Sequence, residues 1–144
     1  MTAKPIAIAS DHAGVQLKAT LAEALRGWGY EVLDLGTDGP GSVDYPDFAE
    51  ALVKAITEGR AERGVLVCGT GLGISMAANR HHKIRAAPCQ DETSARLARQ
   101  HNDANVLALG ARLVGEEVAK DCLRTFLDTE FEGGRHQRRI DKLG

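Results

Sequence analysis

Val65-Leu66-Val67-Cys68-Gly69-Thr70-Gly71-Leu72-Gly73-Ile74-Ser75 joins an apolar run to a glycine-rich turn. The three apolar residues read as the end of a buried strand, Cys68 stands at its tip, and the alternating glycines let the backbone turn sharply into a helix starting near Leu72. This arrangement puts a nucleophile at a helix N-terminus. Unpaired amide N–H groups and the helix dipole there favour negative charge, either a thiolate or an oxyanion on a substrate. The plainer alternative is a turn that holds a small buried cysteine, since free Cys is among the most buried residue types.

Outward from this turn the chain alternates short apolar runs with segments of helical period, the pattern of an α/β domain with a mainly parallel sheet. Strands are expected at Ile6-Ala7-Ile8-Ala9, Val32-Leu33-Asp34-Leu35, 64–68, Ile84-Arg85-Ala86-Ala87 and Val106-Leu107-Ala108-Leu109. Leu17, Leu21, Leu25 and Trp28 recur at spacings of four, four and three, one apolar helix face that Gly27 and Gly29 close. Phe48, Leu52, Val53 and Ile56 mark a second helix behind the Gly/Pro-rich loop 36–46, which is long enough to be a functional candidate itself. Further helices are expected from Leu72 toward Asn79 and Arg80, over 92–101, and over 116–127 with Val118, Cys122, Leu123 and Phe126 facing inward. The stretch 131–140 reads as a basic tail starting on a Gly133-Gly134 hinge. The expected fold is a three-layer α/β/α, Rossmann-like domain over 1–144, with about five strands and a C-terminal basic tail.

Composition excludes several classes. The 144 residues are 43% hydrophobic and 26% charged, the balance of a soluble globular protein, and no apolar run approaches membrane-spanning length. Met1-Thr2-Ala3-Lys4-Pro5 leads into a short strand without a signal-peptide layout, so a cytoplasmic location is expected. A net charge of −2 argues against nucleic-acid binding by bulk electrostatics. Cys68, Cys89 and Cys122 are odd in number, which argues against a disulfide framework, and are too widely spaced for a zinc ribbon. Cys89 and Cys122 read as core residues, and the adjacent His81 and His82 diverge too much to pair on an ion. No metal and no cofactor are expected.

In a parallel sheet the ligand site lies beyond the carboxyl ends of the strands. Asp11 and His12 follow the first strand, Asp44 and Tyr45 the second, and Cys68 and Thr70 the third, so all should share one edge. An Asp-His pair in a loop is often only a cap, but here it faces a cysteine at a helix N-terminus. A phosphate loop of the Gly-x-x-x-x-Gly-Lys type is excluded, because Ile74 and Ser75 follow Gly73. A dinucleotide fingerprint would need glycine where Ile74 stands, although Asp91 falls where its ribose-binding acid would. At the other end of the chain, Arg135 and Arg139 are four apart, so on a helical turn both reach one phosphate. Arg112, just after the fifth strand, can add a contact, and His136 lies between the two arginines. The alternative is a solvated terminus.

Ser10-Asp11-His12, Asp44-Tyr45-Pro46, 68–75, Ala77-Ala78-Asn79, 99–106 and Gly133-Gly134-Arg135-His136-Gln137-Arg138-Arg139 together resemble the type B ribose-5-phosphate isomerases, whose relatives include galactose-6-phosphate isomerase subunits. The resemblance covers nearly the whole chain. It implies interconversion of ribose 5-phosphate and ribulose 5-phosphate through an enediolate, without metal or organic cofactor. It also implies that Cys68 is the base moving the proton between C1 and C2, and that His101 opens the furanose ring. Asp11, His12, Asn102 and the Gly69, Gly71, Leu72 and Gly73 turn match sugar-binding positions, and Arg112, Arg135 and Arg139 match phosphate-binding arginines. Another branch of the family carries a Glu base where Ile74 stands, which assigns this chain to the cysteine branch. Cys68, His101 and Thr70 are thus the expected catalytic residues, with Tyr45 and Ser75 added to the substrate contacts.

The chemistry needs a base near working pH and preorganised donors for the oxyanion, a role for the amides from Gly71 to Ser75 and the Ser75 hydroxyl. The preferred sugar is open, because five- and six-carbon phosphates such as allose 6-phosphate or galactose 6-phosphate share this chemistry. A non-catalytic sugar-phosphate-binding subunit is the rival reading, and the presence of Cys68, Thr70 and His101 speaks against it. Assembly follows from topology. Cys68 closes a strand, whereas His101 and Asn102 end a helix and precede a strand, which puts them at opposite sheet edges. A strand spans about 17–20 Å, so one sugar touching both ends requires two chains, a homodimer with composite sites or a tetramer built from it.

Overall fold

Along each long strand successive side chains point to opposite faces, and both sets are apolar because both faces are covered. In β1 (Ile6–Ser10), Ile6 and Ile8 face one layer and Ala7 and Ala9 the other. β3 (Arg63–Cys68) divides Val65 and Val67 from Leu66 and Cys68 in the same way, and β5 (Val106–Gly110) divides Leu107 and Leu109 from Val106 and Ala108. With the short β2 (Val32–Asp34) and β4 (Ala86–Pro88), they form a five-stranded sheet in the order β2-β1-β3-β5-β4, every pairing parallel. The structure, a computed structural model, describes residues 3–144; Met1 and Thr2, the start of the stretch read above for a leader, lie outside the described residues.

α1 (Val15–Gly27), α4 (Glu92–Asn102) and α5 (Glu116–Asp128) cover the first face, with Leu21, Leu25, Leu123 and Phe126 fully buried. α2 (Tyr45–Thr57) and α3 (Leu72–Ala78) cover the second, burying Leu52 and Ile74 against Leu66. The three-layer α/β/α arrangement is therefore the expected one. Among the described residues, no helix is long and apolar enough to cross a membrane.

Three details differ from expectation. Val118 is 40% exposed, because the inner stripe of α5 runs through Ala119, Cys122, Leu123, Phe126 and Leu127 and leaves its neighbour outside. β4 begins at Ala86 rather than Ile84, since the Arg85 N–H is taken by the Asn105 side-chain oxygen at 2.8 Å instead of by a strand partner. The terminus expected as a basic tail forms a helix, α6 (Arg135–Asp141). His136 and Ile140, four apart, bury one side of it while Arg135, Arg138 and Arg139 stay in solvent.

The strand order creates the crevice that matters. From β1 the chain pairs outward with β2 and then crosses to β3 on the other side of β1, so the connections diverge at the carboxyl ends of β1 and β3. Ligands of open α/β sheets bind at such a switch point. The Asp11 N–H donates to the Val67 carbonyl at 3.2 Å, tying the loop after β1 to the end of β3.

Candidate active site

Cys68 is the last residue of β3 and pairs with Gly110 of β5, at the carboxyl edge. Its side chain is almost fully buried on the α2/α3 side, and its Sγ accepts the Gly71 N–H at 3.2 Å. Gly71 has φ +76°, the left-handed conformation that turns the chain into α3, and a Cβ there would lie 3.0 Å from the Leu109 carbonyl carbon. Thr70 Oγ1 accepts the Leu72 N–H at 3.2 Å, and the Ser75 hydroxyl donates back to the Leu72 carbonyl at 2.8 Å. The turn is thus bound to itself on both sides. Thr70 and Leu72 are exposed, whereas Ser75 is buried.

Asp11 is buried beside the thiol turn, and its Oδ1 accepts the Ala13 N–H at 3.0 Å to cap the 3-10 turn His12–Gly14. The His12 ring is exposed and its Nδ1 accepts the Val43 N–H at 3.1 Å. A nitrogen that accepts carries no proton, so the neutral ring presents Nε2–H outward as a donor. Tyr45 opens α2 and lies against the Cys68 turn so closely that a Cβ on Gly73 would stand 2.6 Å from the Tyr45 Cζ. Glycine at 73 is what admits the phenol there.

The loop between β2 and α2 is anchored by a residue that the sequence reading passed over. Lys18 of α1 is buried, and its Nζ donates to both Asp34 oxygens at 2.7 and 2.6 Å and to Asp38 at 3.0 Å. A lysine tolerates that depth only when carboxylates satisfy its charge. The available signal was a charged residue inside an apolar stripe, next to Leu17 and three before Leu21. Through this anchor the loop carries the Val43 amide that orients His12.

Arg112 belongs to the same edge: its N–H donates to the Gly69 carbonyl at 2.9 Å and its side chain lies along Gly69. The remaining expected site residues sit elsewhere. His101 and Asn102 end α4 and precede β5, whose first residue pairs with Gly64 at the amino end of β3. Arg135 and Arg139 project from α6, whose buried His136 stacks its ring on that of His101, with centroids 4.5 Å apart. Within one chain the structure therefore gathers Asp11, His12, Tyr45, Cys68, Gly69, Thr70, Gly71, Leu72, Gly73, Ser75 and Arg112 at one edge. It gathers His101, Asn102, Arg135 and Arg139 at the other. A 440 Å³ cleft between the end of α3, β4 and α6 includes Asn102 and does not reach Cys68.

Glu132 joins the second group, with its Oε1 at 4.0 Å from His101 Nε2 and 3.5 Å from His136 Nε2. Sequence offered no signal for it, because the contact with His101 spans 31 positions and both ends are loop or helix end. Among the described residues, these three are the ones whose ligand atoms lie close enough to gather on a metal ion. The rings lie within 16° of parallel, however, so their in-plane lone pairs do not converge on one point, and the cluster reads as a charge contact rather than a ligand set.

The other thiols, Cys89 and Cys122, lie on the opposite face of the sheet from Cys68. Burial raises the Cys89 thiol, and it pushes Cys122 up to about 12, so neither supplies a thiolate. Asp91, which a dinucleotide site would have needed, is spent as the α4 cap, its Oδ1 accepting the Ser94 N–H at 2.7 Å, and that bond lowers its carboxyl. Ile74 is fully buried in the layer of α2 and α3, packed in one cluster with Leu52 and Leu66. His81 pairs with Glu50 at 2.8 Å on the surface.

A family model described as Ribose/Galactose Isomerase matches residues 6–143. The ribose-5-phosphate isomerase B of Escherichia coli K12 is 46% identical over 140 residues, covering 97% of this chain and 94% of that protein. The structure of ribose-5-phosphate isomerase B from Clostridium thermocellum superposes with a TM-score of 0.96 at 52% identity, covering 97% and 95% of the two chains. That of the Mycoplasma genitalium ribose-5-phosphate isomerase B with bound ribulose-5-phosphate gives 0.93 at 42% identity, covering 99% and 95%. With a cysteine at the switch point of the same fold, matched from end to end, this chain belongs to the ribose/galactose isomerase family.

Proposed function

We propose that this chain interconverts ribose 5-phosphate and ribulose 5-phosphate by proton transfer through an enediolate. The observation that carries the reading is the Cys68 thiol, presented at the β1/β3 switch point within a turn whose amide already donates to its sulfur. Cys68, as the thiolate, takes the proton from the carbon beside the carbonyl and returns it to the neighbouring carbon as the hydroxyl proton passes from O2 to O1, while the Gly73 and Ile74 amides at the start of α3 steady the enediolate oxygens. Asp11 and the outward Nε2–H of His12 bind sugar hydroxyls, with Tyr45 closing the wall beside Gly73. Thr70, through its bond to Leu72, keeps the turn in register. The direct test is a turnover assay with ribose 5-phosphate beside allose 6-phosphate and galactose 6-phosphate. Ribose 5-phosphate is expected to give the highest kcat/KM, and clear preference for a six-carbon sugar overturns the substrate assignment.

The working unit is a homodimer in which each site takes His101, Asn102, Arg135 and Arg139 from the partner subunit. Two facts support this: Cys68 and Arg112 lie at the opposite sheet edge from that group, and one sugar phosphate is shorter than a strand. The arginines of α6 grip the phosphate through charge-assisted hydrogen bonds, and the binding energy gained there holds the reacting carbons against Cys68. Either Arg135→Ala or Arg139→Ala is expected to weaken substrate binding. A hydrogen bond to a charged group contributes roughly 1.5–3 kcal/mol, so affinity should fall about 10- to 100-fold. Titration with a sugar-phosphate analogue reads this directly, and unchanged affinity in both variants would make α6 a structural element only.

A further inference from the structure

Among the described residues, Glu132 is the carboxylate that faces both stacked imidazoles, and it does not reach them by accident of a loose loop. Its own N–H donates to the carbonyl of Gln100, the residue before His101, at 3.1 Å. His136 is the fixed member of the stack, with a side chain only 9% exposed, whereas the His101 side chain is 40% exposed and open to a ligand. On α4, Arg99 is committed to Asp103 and to the Ala104 and Thr129 carbonyls and Arg96 bonds the Gln100 side chain, so neither is paired with Glu132. Arg135, Arg138 and Arg139 of α6 point to solvent. At 4.0 Å the His101 contact is electrostatic rather than a formed hydrogen bond. It still biases which nitrogen holds the proton. A carboxylate beside Nε2 favours Nε2–H, leaving Nδ1 as the free acceptor, the same logic by which a buried carboxylate sets the tautomer of a catalytic imidazole.

We infer that Glu132 is a positioning residue for ring opening: held against the His101–His136 stack, it fixes the orientation and tautomer of His101 so that Nδ1 exchanges the proton with the sugar. This rests on the isomerase reading above. In the step itself, Nδ1 accepts the proton of the C1 hydroxyl as the electrons of that O–H bond form the carbonyl. The C1–O4 bond breaks, its electrons stay on O4, and the proton held on Nδ1 passes to O4, which returns His101 to its neutral form, so that no group is oxidised or reduced.

The variant is Glu132→Gln, which keeps the shape of a half-exposed side chain and removes its charge. Two reactions separate its roles. Ribose 5-phosphate is mostly ring-closed and needs His101. Ribulose 5-phosphate carries its phosphate on O5, cannot close a five-membered ring, and exchanges its C1 hydrogen with deuterated solvent through the Cys68 step alone. For Glu132→Gln, kcat/KM on ribose 5-phosphate is expected to fall about tenfold or more, part of the roughly 10²- to 10⁴-fold that acid–base catalysis supplies. Exchange into ribulose 5-phosphate should stay at the wild-type rate, which also shows that the variant is folded. His101→Ala/Glu132→Gln should be no slower than His101→Ala, because the carboxylate acts through the ring. Equal losses in both reactions, no loss in either, or additive losses in the double variant overturn the inference. A wild-type protein that neither converts ribose 5-phosphate nor exchanges ribulose 5-phosphate sinks the isomerase reading instead.

Discussion

Cys68→Ala is expected to lower isomerisation by about 10²- to 10⁴-fold, the range contributed by a positioned acid–base group, while a sugar-phosphate analogue still binds. The separation of the two effects follows from the geometry. The sulfur is nearly buried and accepts one amide, so it is placed to move a proton rather than to hold the ligand, whose polar groups we propose meet Asp11, His12 and the arginines. The variant also leaves the core intact, since alanine fills most of the space under α3 and the neighbouring Leu66 and Ile74 keep their packing. Initial rates with ribose 5-phosphate and a calorimetric titration with a non-reacting analogue measure both arms. Turnover close to wild type would remove Cys68 from the mechanism.

The second large effect is complementation between two inactive chains. Cys68→Ala and His101→Ala damage opposite edges of the sheet, so in a composite dimer a mixed pair has one doubly damaged site and one intact site. Random re-association makes about half the dimers mixed, so roughly a quarter of wild-type activity should return after the two proteins are dissociated and reassembled together. Each parent must first be shown weak on the furanose, because His101→Ala retains the proton-transfer step for sugar that has opened on its own. Verified mixed dimers without recovered activity would show that Cys68 and His101 serve one site from one chain.

The fold was legible because it rests on periodicity, which is local. Ile6, Ile8 and Leu107, Leu109 alternate with small residues as strands covered on both faces must, and Leu17, Leu21 and Leu25 trace a helix face without any knowledge of what lies beneath. The Cys68 turn was legible for the same reason: strand, thiol, glycines and helix follow one another within eleven residues. Errors occurred where a local pattern met a distant partner. Val118 is apolar and near the inner stripe of α5 yet falls outside it, and the start of β4 was shifted by the side chain of Asn105, twenty positions from Arg85. The basic end is dominated by its arginines in sequence, but His136 and Ile140 decide its structure by docking it as α6.

What the sequence alone determined is the chemistry on offer: a thiol at a strand tip, an Asp-His pair after the first strand, arginines one helical turn apart, and a pattern of motifs specific enough to indicate the family. Only the tertiary structure decided which of these meet. It brought Asp11 to Val67 through a backbone hydrogen bond, turned the His12 ring by the amide of Val43, and set Glu132 against two stacked imidazoles. Such contacts join residues tens of positions apart. Their existence depends on strand order and helix docking, which arise from burial of the whole core rather than from any segment's own preference.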